Sequence, residues 1–346
     1  MARECNPVIA SRLMSAPADP MLPRDDGRAV IVEPLAAVTL TTGNLAAARR
    51  FYQGALGMSP EFHRVEGEAA TRLAAHWGLP TQAAYEYVRL FRPGLEGALQ
   101  IRLVAVDSAL PTKRPALDSR FDGPLGVGYP VRDLKARNVV VEAHGFGSTA
   151  GLTLMAFPRA DGSTYDIGEV HWVAPDDVMV LGVDRAHLQP VGPIDAAIDI
   201  GGPAYSSTLI SDAARFAPFF GEVLGFELRR EFTFQSEGPS GGMRLPAGTQ
   251  VHFQQWFAPG SRSGYLVVMQ LLQNALRPPA PLAAPGRGIA LWSFPTLDLE
   301  ATLLRARAHG TAVLQDAAWI ETPGVGSVRS AVLATPDGFP VEIYQR

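Results

Sequence analysis

Four copies of one pattern run along this chain, and a repeat of that length constrains the fold more than any single residue does. The stretch Ala37-Val38-Thr39-Leu40-Thr41-Thr42 reads as a strand and is followed by Gly43-Asn44. Apolar residues then recur at helical spacing from Leu45 to Leu56, where Gly57 closes the segment. Asn44 suits an N-cap, because its side chain can accept from the free amides of the first turn. Gly57 suits the left-handed position that ends many helices.

The same grammar returns at Tyr205-Ser206-Ser207-Thr208-Leu209-Ile210, with Ser211 or Asp212 as the cap, a helix to Leu224 and Gly225 behind it. Details match as well: Phe51-Tyr52-Gln53-Gly54-Ala55-Leu56-Gly57 stands against Phe219-Phe220-Gly221-Glu222-Val223-Leu224-Gly225. Two weaker copies run from Gly126 to Val131, then Asp133 to His144 and Gly145, and from Leu291 to Thr296, then Asp298 to His309 and Gly310. Ala37, Gly126, Tyr205 and Leu291 therefore hold equivalent first-strand positions. Proline-rich linkers separate the copies around 110–124, 190–203 and 278–285.

Strand-like segments follow each helix: Tyr85 to Phe91 and Leu99 to Val106 in the first copy, after a helical insertion near Glu68 to His76, and Val251 to Phe257 and Tyr265 to Leu272 in the third. The second and fourth copies carry Asp161-Gly162 and Asp337-Gly338, which suit the turn of a closing hairpin. Each copy is thus strand, helix and about three strands. The expected class is α+β: four βαβββ modules, at about 34–107, 123–185, 203–276 and 286–346, behind a loosely ordered arm at 1–33.

Composition narrows the setting. Hydrophobic residues make up 47% and charged ones 18% of 346 residues, which excludes a mostly disordered chain. With 30 basic and 34 acidic residues there is no electrostatic footprint for nucleic acid. Cys5 is the sole cysteine, so no internal disulfide framework or cysteine-rich zinc site is expected. No apolar run approaches the roughly 18–20 residues of a membrane span. The first 30 residues hold no uninterrupted apolar core typical of a secretory signal. A cytoplasmic protein, monomeric or homodimeric, with a small-molecule substrate is the expectation.

A module opening with Val38-Thr39-Leu40-Thr41, then Asn44-Leu45, Phe51-Tyr52 and Leu56-Gly57, resembles the vicinal oxygen chelate superfamily. That superfamily includes glyoxalase I, bleomycin-resistance proteins and extradiol dioxygenases. The closing Thr335-Pro336-Asp337-Gly338-Phe339-Pro340-Val341-Glu342-Ile343-Tyr344 is similar to its final hairpin. The resemblance implies modules paired into two domains, here 34–193 and 194–346, each with curled mixed sheets around a cleft. It also implies a metal held by a His of the first strand and a Glu of the last. Ala37, Gly126 and Leu291 cannot ligate, and Tyr205 would be an unusual ligand. The last-strand equivalents read as Gln100, Asp166, Gln270 and Glu342. The expectation is no metal and no cofactor, with divalent iron, manganese or zinc as the alternative.

Strand parity assigns the remaining chemistry. Glu342 and Tyr344 share a face opposite Val341 and Ile343, which directs Glu342 into the cupped side as a general base. Tyr205 could donate to a substrate oxygen or orient Glu342, or simply pack as an aromatic. His252 shares a face with Gln254 and Trp256 and is read as an acid–base partner, against an ordinary core or surface histidine. His171 lies in a similar run beyond Asp166 and carries the same two readings, while His144 and His309 suit helix ends. Gln100, Asp166, Trp256, Gln270, Trp292 and Tyr344 complete the expected substrate-binding set, as against plain packing.

No phosphate-binding loop, H-E-x-x-H helix or G-x-S-x-G elbow occurs. The expected function is metal-independent acid–base chemistry, as a lyase or isomerase, on an oxygenated and in one reading aromatic molecule. The alternatives are a ring-cleaving dioxygenase with an altered metal site and a protein that sequesters a ligand without turnover.

Overall fold

The computed structural model describes residues 27–346, apart from 96–97, 115–116, 118, 120, 159–161, 186–187, 237, 239 and 274–284. Most of the N-terminal arm with Cys5, Asp161 of one expected turn and the core of the third proline-rich linker lie outside the described residues.

Module 1 comprises β1 (Ala37–Thr42), α1 (Leu45–Arg49), β2 (Ser59–Glu66), α2 (Gly67–Trp77), β3 (Ala84–Phe91) and β4 (Gln100–Ala105). Module 2 comprises β5 (Gly123–Pro130), α3 (Leu134–Ala143), β6 (Thr153–Pro158), β7 (Thr164–Ala174) and β8 (Val178–Asp184). The two-residue strands β9 (Ile194–Asp195) and β10 (Ile200–Gly201) link it to module 3. That module holds β11 (Tyr205–Ile210), α4 (Ala213–Pro218), β12 (Glu227–Gln235), β13 (Gln250–Phe257) and β14 (Tyr265–Leu271). Module 4 holds β15 (Gly288–Pro295), α5 (Leu299–Ala308), β16 (Val313–Thr322), β17 (Gly326–Ala334) and β18 (Pro340–Gln345).

The repeat is visible at the level of single hydrogen bonds. Asn44, Asp133, Asp212 and Asp298 each accept, through a side-chain oxygen, a backbone N–H of the first helical turn. Gly57, Gly145, Gly225 and Gly310 all take positive φ just past the helices, between 67° and 83°. In modules 1 and 3 the helix widens into a π-helical turn at the matching segments Arg50–Ala55 and Phe219–Val223.

The modules form two eight-stranded mixed sheets, but not from neighbours in the chain. The first sheet has the order β16-β17-β18-β15-β1-β4-β3-β2 and joins modules 1 and 4. The second has the order β12-β13-β14-β11-β5-β8-β7-β6 and joins modules 2 and 3. This corrects the expected division into 34–193 and 194–346. All four first strands carry the same pattern, so the repeat marks which strands sit at the centre of a sheet without choosing their partners.

Two register expectations also change. Gly162 of the expected turn lies between β6 and β7, so module 2 ends one strand later, in β8. In module 3, Tyr205 pairs with Tyr265, and Gln270 lies opposite Ile210 at the far end of the strand.

One large core lies between the sheets and takes in the helices, with Val38, Phe51, Val127, Trp172, Phe220, Leu266, Trp292 and Ile343 among its members. The opposite, concave face of each sheet carries its own smaller cluster. Among the described residues no helix is long and apolar enough to cross a membrane.

Candidate functional site

The two concave faces are related position by position. Five residues before the four helix caps stand Thr39, Gly128, Ser207 and Ser293, and their parallel neighbours in the last strands are Arg102, Leu181, Val267 and Glu342. The centre of the first face is charged, whereas the centre of the second is apolar.

The charged face is closed. Arg102 donates to Glu342 at 3.1 Å, and both side chains are 1% exposed. Arg102 also donates to Ser293 at 2.8 Å. Glu342 accepts from the Trp77 indole at 2.8 Å and from Ser330 at 3.0 Å, and His76 meets Ser330 at 2.9 Å. The guanidinium of Arg102 lies 5.2 Å from the Trp77 ring. Burial alone would raise the Glu342 pKa, but Arg102, followed by hydrogen bonds from Ser293 and Trp77, holds it below the usual carboxylate value. Burial lowers the His76 pKa against the pull of Glu342. The helix α2, which connects β2 to β3, supplies the plug: Ala70, Leu73, Ala74 and Trp77 fill the cup against Tyr85, Tyr87, Leu291 and Val332.

The second face keeps its space. A cavity of about 290 Å³ lies on it, at the lower end of the range for small-molecule sites. Its walls are largely apolar, with Met155, Phe157, Ile167, Leu181, Phe232 and Met269 among them. Tyr205 stacks on Tyr265 with centroids 5.0 Å apart, and Tyr265 stacks on Phe257 at 4.3 Å. Tyr205 needs Gly128 beneath it, since a Cβ there would fall 2.0 Å from the ring. Burial raises the Tyr205 pKa well above its ordinary value, and Glu169 adds to this, so the phenol stays protonated.

The titratable feature of this cavity is a pair on β7. Ile167, Glu169 and His171 point to the same side of the strand and line the cavity. His171 Nε2 lies 3.0 Å from Glu169 Oε2, with the imidazole 5% exposed. A carboxylate can only accept, so neutral His171 carries its proton on Nε2 and keeps a lone pair on Nδ1. That Nδ1 is buried without a hydrogen-bond partner, as are Ser207 Oγ and Gln255 Oε1. Arg185 and Arg230 also line the cavity, and Arg230 lies 4.5 Å from the Phe157 ring and 5.0 Å from that of Phe232.

The connection between β12 and β13 roofs this cavity, in the topological place that α2 takes in module 1. Gly241, Gly242, Met243 and Leu245 line its underside. Thr149 of module 2 donates to the Gly242 carbonyl at 2.7 Å, and Arg244 donates to the Thr149 carbonyl at 3.3 Å. Gly242 faces the histidine, where a Cβ would stand 2.4 Å from Nδ1.

Of the expected site residues, Tyr205 lines this cavity, as does His171, which the sequence left between an acid–base and a structural role. Glu342 is locked in the first sheet, with Tyr344 buried on its strand face and Gln100 half-buried in a groove beside Glu33 and Arg262. His252 lies on the opposite side of β13 and meets Glu231 at 2.8 Å. Trp256 shares that side, donates to Gln254 at 3.1 Å and packs on Phe220. Gln270 caps the start of α4, accepting from Ala213 and donating to Ser211. Trp292 donates to Ser206 at 3.0 Å between the two sheets. Asp166 is exposed on the outer side of β7. Three expected catalytic residues therefore sit in three different environments: the pairing of modules 1 with 4 and 2 with 3 separates Glu342 from Tyr205, and strand parity turns His252 to the other side of β13.

Glu169, Ser207 and Gln255 escaped the sequence reading. The alternation Ile167-Gly168-Glu169-Val170-His171 was the available signal. It points Glu169 and His171 to one side, away from Asp166.

A metal of the kind the fold family implies does not fit these residues. The central last-strand positions of the open cavity are Leu181 and Val267, neither of which can ligate. Among the described residues no three His, Cys, Asp or Glu side chains converge.

Comparison with known proteins agrees with this architecture. Residues 207–343 match the model of the Glyoxalase/Bleomycin resistance protein/Dioxygenase superfamily. Glyoxalase I from Zea mays superposes with a TM-score of 0.56 at 14% identity, covering 90% of this chain and 92% of that one. A Bacillus subtilis protein provisionally assigned as a dioxygenase superposes with a TM-score of 0.54 at 14% identity, covering 92% and 86%. At these identities the likeness shows the fold alone. No curated protein sequence matches. Residues 207–343 thus carry the pattern of the glyoxalase/bleomycin resistance protein/dioxygenase superfamily, and the four modules together share the fold of glyoxalase I.

Proposed function

We propose that the cavity of modules 2 and 3 is the active site of a lyase or isomerase that moves a proton on a small, oxygenated, ring-bearing substrate without a metal. The observation that carries this reading is the Glu169–His171 pair, 3.0 Å apart in the wall of a largely apolar cavity of about 290 Å³. Glu169 orients the imidazole and stabilises the cation that forms when Nδ1 takes a proton, which is the ordinary logic of a carboxylate-backed general base. Gly242 lets the roof pack closely on the face of the imidazole, where a Cβ would stand 2.4 Å from Nδ1 and 2.6 Å from Cγ and Cε1. The protonated phenol of Tyr205 supplies a donor on the cavity floor. The stacked rings below and the phenylalanines of the wall favour a flat apolar body on the substrate.

The test is solvent exchange. A panel of bicyclic ketones, lactones and phenols, 2-tetralone among them, is incubated with the protein in D2O and followed by NMR. Deuterium should enter acidic C–H positions faster than in buffer, and His171→Asn should lower the rate by about a hundredfold or more, the usual worth of a positioned base. Exchange that survives His171→Asn unchanged would remove His171 from the chemistry. Tight binding with no exchange would instead assign the cavity to sequestration.

A further inference from the structure

Resting on the cavity being the active site, we infer that Ser207 and Gln255 hold the oxygen of a carbonyl substrate and stabilise the negative charge that gathers there when His171 removes the neighbouring C–H proton. The two residues flank one position of the sheet: Val267 on β14 pairs with Ser207 on β11 and with Gln255 on β13. Two strand spacings of about 4.8 Å each separate them, and both side chains take the cavity side of the sheet, one on either side of Val267. Both line the cavity.

Both are also poised without partners. Ser207 is 1% and Gln255 5% exposed, and Ser207 Oγ and Gln255 Oε1 make no hydrogen bond among the described residues. A buried polar atom left unpaired is costly, so a fold that keeps two on one cavity wall has a use for them. The Gln255 amide can turn end for end and present its N–H₂, and the serine hydroxyl rotates freely. Together they offer two neutral donors to one oxygen.

The neutrality of the donors selects the ligand chemistry. They suit an oxygen that arrives uncharged and gains charge during the reaction, as preorganised donors do in an oxyanion site. The step balances without a further reactant. Nδ1 of His171 takes the proton, the C–H electron pair becomes the new C=C bond, and the carbonyl π pair moves to the oxygen between Ser207 and Gln255. The substrate class is therefore a ring-bearing ketone, aldehyde or ester with an acidic hydrogen beside its carbonyl group.

A phenol imitates the enol oxygen of that intermediate, so 2-naphthol and naphthalene form the test pair. The full-length protein should bind 2-naphthol, read by its fluorescence, more tightly than naphthalene. Ser207→Ala and Gln255→Leu should each weaken 2-naphthol by about tenfold, while naphthalene affinity, the control for an intact cavity, changes by less than about twofold. Equal losses for both ligands, no loss for either, or no preference for the oxygen-bearing ligand in the wild type would each overturn the assignment. His171→Asn should leave the naphthol preference in place. Failure here with His171-dependent exchange intact would therefore spare the general base and remove only the oxygen site.

Discussion

The indole N–H of Trp77 donates to Glu342 at 2.8 Å, and through this contact one connection of module 1 occupies the first of two related cups. The matching connection of module 3 passes over the second cup and leaves about 290 Å³ beneath it. Trp77→Ala should cost about 3–5 kcal/mol in urea unfolding, the usual price of losing a buried tryptophan. It should also create a ring-sized void in the first sheet. Added indole should then raise the melting temperature of the variant and not of the wild type. A variant indifferent to indole would mean that the cup collapses around the missing ring.

Glu342 belongs to stability in this arrangement. Glu342→Gln keeps the shape but leaves Arg102 buried without a counter-charge, which should cost about 3–5 kcal/mol. Deuterium exchange per folded molecule should be unchanged, because the carboxylate lies in the other sheet. Lost exchange at full stability would return Glu342 to the chemistry.

Acid sensitivity follows from the same cluster. The Glu342 pKa lies below its unfolded value, so its contribution is complete above the ordinary carboxylate range and is lost as pH falls through the lowered folded value. The His76 pKa is also lowered, so the unfolded chain takes up its proton first, and stability drops as pH falls below the ordinary value of 6.5 towards the lowered one. Urea midpoints measured from pH 7.5 to 3 should therefore fall steadily on the acid side. Glu342→Gln should show a shallower slope, and a parallel curve would show that other groups set it.

Gly128→Ala tests the floor of the open cavity. The added Cβ would fall 2.0 Å from the Tyr205 ring, so the ring must leave its stack on Tyr265. A loss of about 1–3 kcal/mol, with altered near-UV tyrosine circular dichroism, is expected. An unchanged spectrum would place the ring elsewhere in solution.

Gly242→Ala tests the roof. Its Cβ would meet His171 Nδ1 at 2.4 Å, and the roof must lift or the imidazole must turn. Amide exchange in residues 240–246 should quicken and 2-naphthol affinity should fall, with the urea midpoint nearly unchanged. A roof as protected as in the wild type, with full affinity, would remove Gly242 from the site.

Local chemistry made much of the fold legible. Asn44 and the aspartates at 133, 212 and 298 cap their helices as side-chain spacing demands, and the positive-φ glycines end them, because both effects act within a few residues. Strand parity likewise put Glu342 on a concave face. It could not reveal that Trp77, 265 positions away in the chain, donates into that face.

The candidate site was less legible for the same reason. Asp166 and Gln270 were drawn in by hairpin and strand patterns whose register is set by partners elsewhere in the chain. Glu169 and His171 matter because β7 lies against β8 and the β12–β13 connection reaches across the cup to His171, a placement no local signal encodes.

Four βαβββ modules, their caps and their central strands follow from local patterning. These are short-range properties of propensity, period and turn chemistry. Long-range packing joins module 1 to 4 and module 2 to 3, fills one cup with its own helix, and leaves the other open beside Glu169, His171, Ser207 and Gln255. Four near-equivalent first strands can pair in more than one way on local grounds. The choice among those pairings belongs to the packing of the shared core, where contacts such as Trp292 to Ser206 span the two sheets.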